Sequence, residues 1–234
     1  HKPAEYVKYE AVENHWRHTP EFKTLIVKVV PELSARLAML KTGEADISLI
    51  PPDRAKELKA AGLQIKTVPG SGFLGVALGG NLLPTREHFD PTVPWAYHQD
   101  EPWDSAWNKR VKKVREALFT AINGKAIIDV IYYGEAEPAR LQDWPMGTVF
   151  HKPEWKPFPY DPERAKQLLA EAGYPNGFAK PITVDVIPLP NAPRVIDATL
   201  AICNDWEAIG IKVKRNMSEW AVVRPYWAGR KSAW

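Results

Sequence analysis

The chain has 234 residues, enough for one large domain or two small ones and for a core that needs no covalent staples. Its 31 Lys and Arg against 28 Asp and Glu leave a net charge of +3, which disfavours nucleic-acid binding driven by bulk charge. One cysteine excludes an internal disulfide framework and a cysteine-rich zinc site, and no apolar run approaches the ~18 residues that a membrane span needs.

In chain order, residues 5–14 roughly alternate and predict a strand, and the β-branched run Leu25–Val30 predicts another. After Pro31, Leu33, Leu37 and Leu40 fall at helical spacing, with Gly43 as the stop. Ile47–Ile50 reads as a short buried strand ended by Pro51-Pro52, and Asp53 to Ala61 as a short helix closed by Gly62. Leu63–Val68 and Phe73–Leu78 read as further strands, which makes the first 80 residues α/β in character. Residues 79–108 then carry four prolines and three tryptophans with little periodicity, the pattern of a long functional loop. Val111, Val114, Leu118 and Ala121 predict a helix, and a shorter one follows over Ala126–Tyr132, stopped at Gly134. Residues 135–160 are again rich in Pro and Trp. Asp161-Pro162-Glu163 is a helix start in which Asp caps, Pro occupies the first turn and Glu complements the dipole. Ile182–Ile187, a helix from about Ala192 to Ala208, and Ile211–Arg215 complete a βαβ unit.

The chemistry-bearing patterns are weak. Gly70-Ser71-Gly72-Phe73-Leu74-Gly75 matches GxGxxG, but a phosphate loop needs a helix to open at once, and Gly79-Gly80-Asn81 break the pattern within a few residues. A glycine-rich turn into a strand is the better reading. His15 and His18 sit beside Thr19-Pro20 in a turn, and His88, His98 and His151 lie in loops, so solvated histidines are expected rather than a metal site. Asp100, Glu101 and Asp104 cluster near Trp95, Tyr97, Trp103 and Trp107. Paired carboxylates beside stacking aromatics are what a glycan-active enzyme would use; the alternative is a solvated acidic loop. Cys203 is in helical register with Ile196, Leu200 and Glu207, as a small buried hydrophobe would be. No GxSxG, Walker A, HExxH or CxxC motif occurs, so no catalytic residue, metal ligand or cofactor is assigned and the chain is not expected to be an enzyme.

Five stretches, in order, resemble the extracytoplasmic solute-binding proteins of ABC transporters, in the peptide/nickel/oligosaccharide-binding class (family 5). The first is Glu13-Asn14-His15-Trp16 with the strand Leu25–Val30 after it, where His15 departs from the family's proline. The second runs from Ala35 to Ile47 through Leu40-Lys41-Thr42-Gly43-Glu44-Ala45-Asp46. The third is Lys113-Val114-Arg115-Glu116-Ala117-Leu118-Phe119-Thr120-Ala121-Ile122, with Asn123-Gly124-Lys125 where the family has Asp followed by a basic residue. The fourth is Tyr160-Asp161-Pro162-Glu163-Arg164-Ala165-Lys166 through Leu168-Leu169-Ala170-Glu171-Ala172-Gly173-Tyr174, and the fifth Trp206-Glu207-Ala208-Ile209-Gly210-Ile211-Lys212-Val213.

The resemblance implies an α/β, periplasmic-binding-protein-like, two-lobed "Venus flytrap" architecture, here incomplete. Residues 1–84 are then the later part of lobe I, 85–109 an inter-lobe hinge or loop region, and 110–234 the first half of lobe II. It implies a periplasmic or extracytoplasmic protein, soluble or lipid-anchored and monomeric. Such a protein captures a peptide-like or oligosaccharide-like solute between the lobes and delivers it to an ABC permease in the membrane. A sensor module on the same fold is a further alternative. The family's acidic anchor for a peptide amine lies beyond the matched stretches, so no residue here is matched to it. Phe73, Gly75, Leu78, Asn81, Trp95, Tyr97 and Trp144 are the expected ligand contacts, with core or hinge packing as the plain alternative for each. The chain opens on His1 rather than Met, and its matches leave out the family's outer segments. Weak solute binding and exposed apolar faces are therefore expected of these 234 residues alone.

Overall fold

A computed structural model describes residues 5–67, 74–79, 90–138, 154, 156–189, 192 and 194–228. The chain divides into two compact units, His1–Ile65 and Lys66–Trp234.

In the first unit, β1 (Tyr6–Glu10) and β2 (Thr24–Lys28) form an antiparallel ribbon in which Tyr6 faces Lys28 and Glu10 faces Thr24. The ladder extends one bond at each end, from Val29 N to Glu5 O (2.7 Å) and from Ala11 N to Lys23 O (2.9 Å). Two strands bury little, and Tyr9, Leu25, Ile26 and Val27 stay exposed. Helix α1 (Leu33–Thr42) ends where Gly43 turns left-handed at φ 76°, a conformation that costs glycine nothing. Arg36 on α1 donates through Nη1 to the carbonyls of Val30 (2.8 Å) and Pro31 (2.6 Å), which fastens the helix to the chain leaving β2. A 3₁₀ turn (Pro52–Arg54) leads into α2 (Ala55–Ala60), which buries Ala55 and Leu58.

Three apolar runs that predict strands take another form. Ile47 and Leu49 are 90% and 83% exposed, and residues 47–50 form no ladder. A strand needs a partner to satisfy its N–H and C=O groups, and none lies beside this run among the described residues. Leu63–Thr67 is likewise unpaired. Residues 74–79 keep the period of two without a ladder: Leu74, Val76 and Leu78 are half-buried on the core of the second unit, while Gly75, Ala77 and Gly79 are exposed.

That core is built on α3 (Ala106–Thr120) and α5 (Pro162–Glu171). The Ser105 Oγ caps α3 by accepting from Asn108 N (3.1 Å), and Val111, Val114, Ala117 and Leu118 form its buried face. The Asp161 carboxylate caps α5 by accepting from Arg164 N (2.8 Å), with Pro162 in the first turn and Ala165, Leu168 and Leu169 buried. Asp161 N also donates to Thr120 O (2.9 Å), so the start of α5 closes on the end of α3. Between them, α4 (Gly124–Ala126) passes into a π turn, Ile127–Ile131. The spacing predicts an ordinary helix here; a glycine start and four β-branched residues make a regular one costly.

Strands β3 (Ile182–Val186) and β4 (Val213–Met217) pair in parallel, Ile182 against Val213 through Val186 against Met217, with α6 (Val195–Ala208) as the crossover. Strand β4 begins two residues later than the pattern predicts, because Ile211 N is spent on Trp206 O (3.1 Å) at the helix end. Gly177 (φ 74°) lies so close to Gly210 O that no Cβ fits between them. A last helix, α7 (Trp220–Ala228), contains Pro225, whose missing N–H removes one helical bond.

Candidate functional site

The Trp-rich loop before α3 is an ordered strap laid on the core. The Asp90 Oδ1 starts it by accepting from Thr92 N (2.8 Å) and Thr92 Oγ1 (2.6 Å). Val93, Trp95 and Ala96 are then buried. The Trp95 ring lies edge-on to Phe178 (6.0 Å between centroids), and its Nε1 donates to Gly79 O (2.6 Å). The Trp107 Nε1 donates to Ala96 O (2.8 Å). Asn108, 1% exposed, holds the rest of the strap. Its Oδ1 accepts from His98 N (3.0 Å), and its Nδ2 donates to the carbonyls of His98 (3.1 Å) and Pro102 (2.9 Å). One buried carboxamide thus satisfies three backbone groups of a loop that has no ladder of its own.

Two clusters stand on this strap. In the first, the His98 ring stacks on Trp107 (4.2 Å, 14°), the Arg110 guanidinium lies 4.1 Å from the same indole, and the His98 Nδ1 meets a Glu101 oxygen at 3.2 Å. Hydrogen bonds from Ser105 and His98 hold the Glu101 carboxyl below its ordinary range. A carboxyl stabilised as its anion is a poor general acid, so Glu101 is unsuited to the acid role of a carboxylate pair. In the second cluster, Tyr97 lies edge-on to Trp103 (5.1 Å, 67°), and the Arg115 guanidinium sits 5.0 Å from the Tyr97 centroid. The Arg115 Nε donates to Trp95 O (2.9 Å). Burial pushes the Arg115 guanidinium below its usual value, and among the described residues no carboxylate offsets the loss of water.

Among the expected contacts, Phe73, Asn81 and Trp144 lie outside the described residues. Gly75 is exposed, Leu78 is half-buried against the core, Trp95 is 2% exposed within it, and Tyr97 is half-buried beside the exposed Trp103. Arg115 joins Trp95 and Tyr97, through a hydrogen bond to one and a ring contact to the other. Sequence reasoning did not single it out as a site residue. The signal was there: Arg115 stands four residues after Val111 and three before Leu118, next to the buried stripe of α3.

Among the described residues no three His, Cys, Asp or Glu side chains come together as a metal site. Burial raises the Cys203 thiol, the opposite of what a nucleophile needs. No described helix is long and apolar enough to cross a membrane. In the first unit, a groove of about 280 Å³ is lined by Tyr9, Glu10, Ala11, Pro20, Phe22 and Leu25.

Residues 1–233 match the family described as "Bacterial extracellular solute-binding proteins, family 5 Middle". The chain belongs to that family. This family 5 chain is 31% identical over 229 residues to heme-binding protein A of Haemophilus influenzae, an alignment spanning 96% of the chain and 37% of that protein. It is 30% identical over 176 residues to the glutathione-binding protein GsiB of Shigella flexneri, across 75% of the chain and 30% of that protein. Its fold matches the crystal structure of the ABC transporter substrate-binding protein CtaP of Listeria monocytogenes with a TM-score of 0.69 at 19% identity. That match covers 100% of this chain and 42% of CtaP. The chain therefore has an α/β fold of the two-lobed periplasmic-binding-protein type in part, and spans less than half the length of each of these proteins.

Proposed function

We propose that this family 5 chain is part of the substrate-binding component of an ABC importer, which captures a small solute outside the cytoplasm and delivers it to a membrane permease without chemical turnover. The observation that carries this reading is the family match over residues 1–233. Relatives named for binding heme, glutathione and dipeptides support a solute of modest size, peptide-like rather than sugar-like. In this reading residues 1–84 belong to lobe I, 85–109 to the hinge region and 110–234 to lobe II. Tyr97 and Gly75 are proposed as contact residues, with Trp95 as the packed support behind Tyr97. Phe73, Asn81 and Trp144 are carried as candidates by sequence alone.

The test is a thermal-shift and calorimetric screen of the protein purified from its own host, against dipeptides, glutathione, heme and malto-oligosaccharides. Saturable binding of a peptide or glutathione without its consumption is the expected result. Hydrolysis of any of them, or binding of the sugars alone, would overturn the reading.

A further inference from the structure

Some arginines of the described structure face a carboxylate, while Arg36, Arg110 and Arg115 face backbone carbonyls or rings instead. Arg54, Arg164, Arg194 and Arg215 each face a carboxylate within an ion-pair distance. Arg115 faces no carboxylate among the described residues, and burial lowers its guanidinium's basicity. Among the described residues its partners are the Trp95 carbonyl and the Tyr97 ring. A half-buried cation without a counter-charge is unfavourable to keep, because lost hydration goes uncompensated.

The geometry fixes what remains available. Of the five guanidinium N–H groups, Nε–H is committed to Trp95 O at 2.9 Å. The Tyr97 ring covers the guanidinium from one side at 5.0 Å. Both Nη groups are left with no acceptor among the described residues, and they share the edge that a carboxylate takes with two parallel N–H···O bonds. Both partners sit on a strap that Asn108 and Trp107 already pin, so the guanidinium is held in place before anything binds. Beside it, Tyr97 meets the Trp103 ring at 5.1 Å, and Trp103 is 77% exposed. An indole left in water at the edge of an ordered loop offers a wide apolar surface at little entropic cost on binding.

We propose that Arg115, Tyr97 and Trp103 form a subsite for a solute carboxylate with an apolar or aromatic group next to it, as at the C-terminal residue of a short peptide. Arg115 takes the carboxylate through its Nη edge, Tyr97 sets the plane of the guanidinium, and Trp103 covers the neighbouring apolar group. This deepens the solute-binding reading and rests on it for the solute class.

The experiment compares the dipeptide Ala-Phe with its C-terminal amide, and phenylacetate with phenylacetamide, by calorimetry and tryptophan fluorescence on the protein purified from its own host. The wild type should prefer each carboxylate over its amide by about tenfold or more, the size expected of a charge-assisted pair. Arg115→Gln keeps an N–H for the Trp95 carbonyl and should abolish that preference. Trp103→Ala, at an exposed position, should weaken the acid and the amide alike. Equal binding of acid and amide by the wild type, or an undiminished preference in Arg115→Gln, would overturn the subsite. If Arg115→Gln does not fold, the wild-type comparison and Trp103→Ala still decide. Phenylacetate discrimination without peptide binding would sink the peptide-like solute class and leave the subsite standing. Peptide binding without discrimination would do the reverse, and no binding of any of the four would overturn the subsite.

Discussion

The indole Nε1 of Trp206, on α6, donates a buried hydrogen bond to the carbonyl oxygen of Leu118 near the end of α3, at 2.8 Å. The bond joins residues 88 positions apart, and both side chains belong to the same core. Trp206→Phe keeps most of the apolar volume but orphans the carbonyl, and should cost about 1–3 kcal/mol. Trp206→Ala adds a cavity and should cost about 3–5 kcal/mol. Urea denaturation of both variants measures the two terms, and a Phe variant as stable as the parent would remove the hydrogen bond from the account.

Three residues past α3, Asn123 N donates to the Asp205 carboxylate at 2.8 Å. Burial raises the Asp205 carboxyl above its usual value, and the Asn123 bond only partly opposes the rise. The folded state therefore holds a proton more tightly than the unfolded chain does. The stabilising contribution is full below the unfolded value, about pH 4, and is lost as pH climbs through the higher folded value. Asp205→Asn retains an acceptor for Asn123 and removes the charge. It should leave stability at neutral pH unchanged or higher and flatten its fall between acid and neutral pH. Denaturation midpoints across that range test this, and a marked loss at neutral pH would contradict it.

Gly177 and Gly134 have nearly the same backbone angle, φ 74° and 77°, but different surroundings. An added Cβ at Gly134 meets nothing, whereas at Gly177 it collides with the Gly210 carbonyl. Gly134→Ala should cost only the left-handed penalty, about 1–2 kcal/mol. Gly177→Ala should cost that and a further ~1–3 kcal/mol of overpacking, since backbone rather than a movable side chain stands in the way. Equal melting temperatures for the two variants would show that the turn at Gly177 relaxes freely.

Asn108→Ala leaves His98 N–H and two carbonyls of the strap without their buried partner. A stability loss of about 1–3 kcal/mol is expected. Faster amide hydrogen exchange should be confined to residues 98–105, with α5 and β3 unaffected. Uniform acceleration across the second unit would mean that Asn108 supports the whole core rather than the strap.

Helices were the most legible elements of this chain. The stripes of Val111, Val114 and Leu118 and of Ala165, Leu168 and Leu169 are buried as their spacing requires, and Ser105 and Asp161 cap as their chemistry requires. A helix satisfies its own backbone, so local sequence suffices. Strands depend on a partner, and apolar runs such as Ile47–Ile50 read the same whether or not one is present. The candidate site divides the same way. Composition drew attention to the loop aromatics Trp95, Tyr97 and Trp103 alike, and only the structure leaves Trp103 exposed and Tyr97 half-buried while sealing Trp95 in the core.

By itself, the sequence determined the family, through motifs in fixed order, and the helical framework, through periods and caps that act over a few residues. Tertiary structure alone decided that Arg115 stands half-buried beside Tyr97, which Trp103 flanks, with no carboxylate facing it among the described residues. Charge balance in a sequence counts groups, whereas the energy of a cation depends on which groups lie within a few ångströms and how much water is left around it.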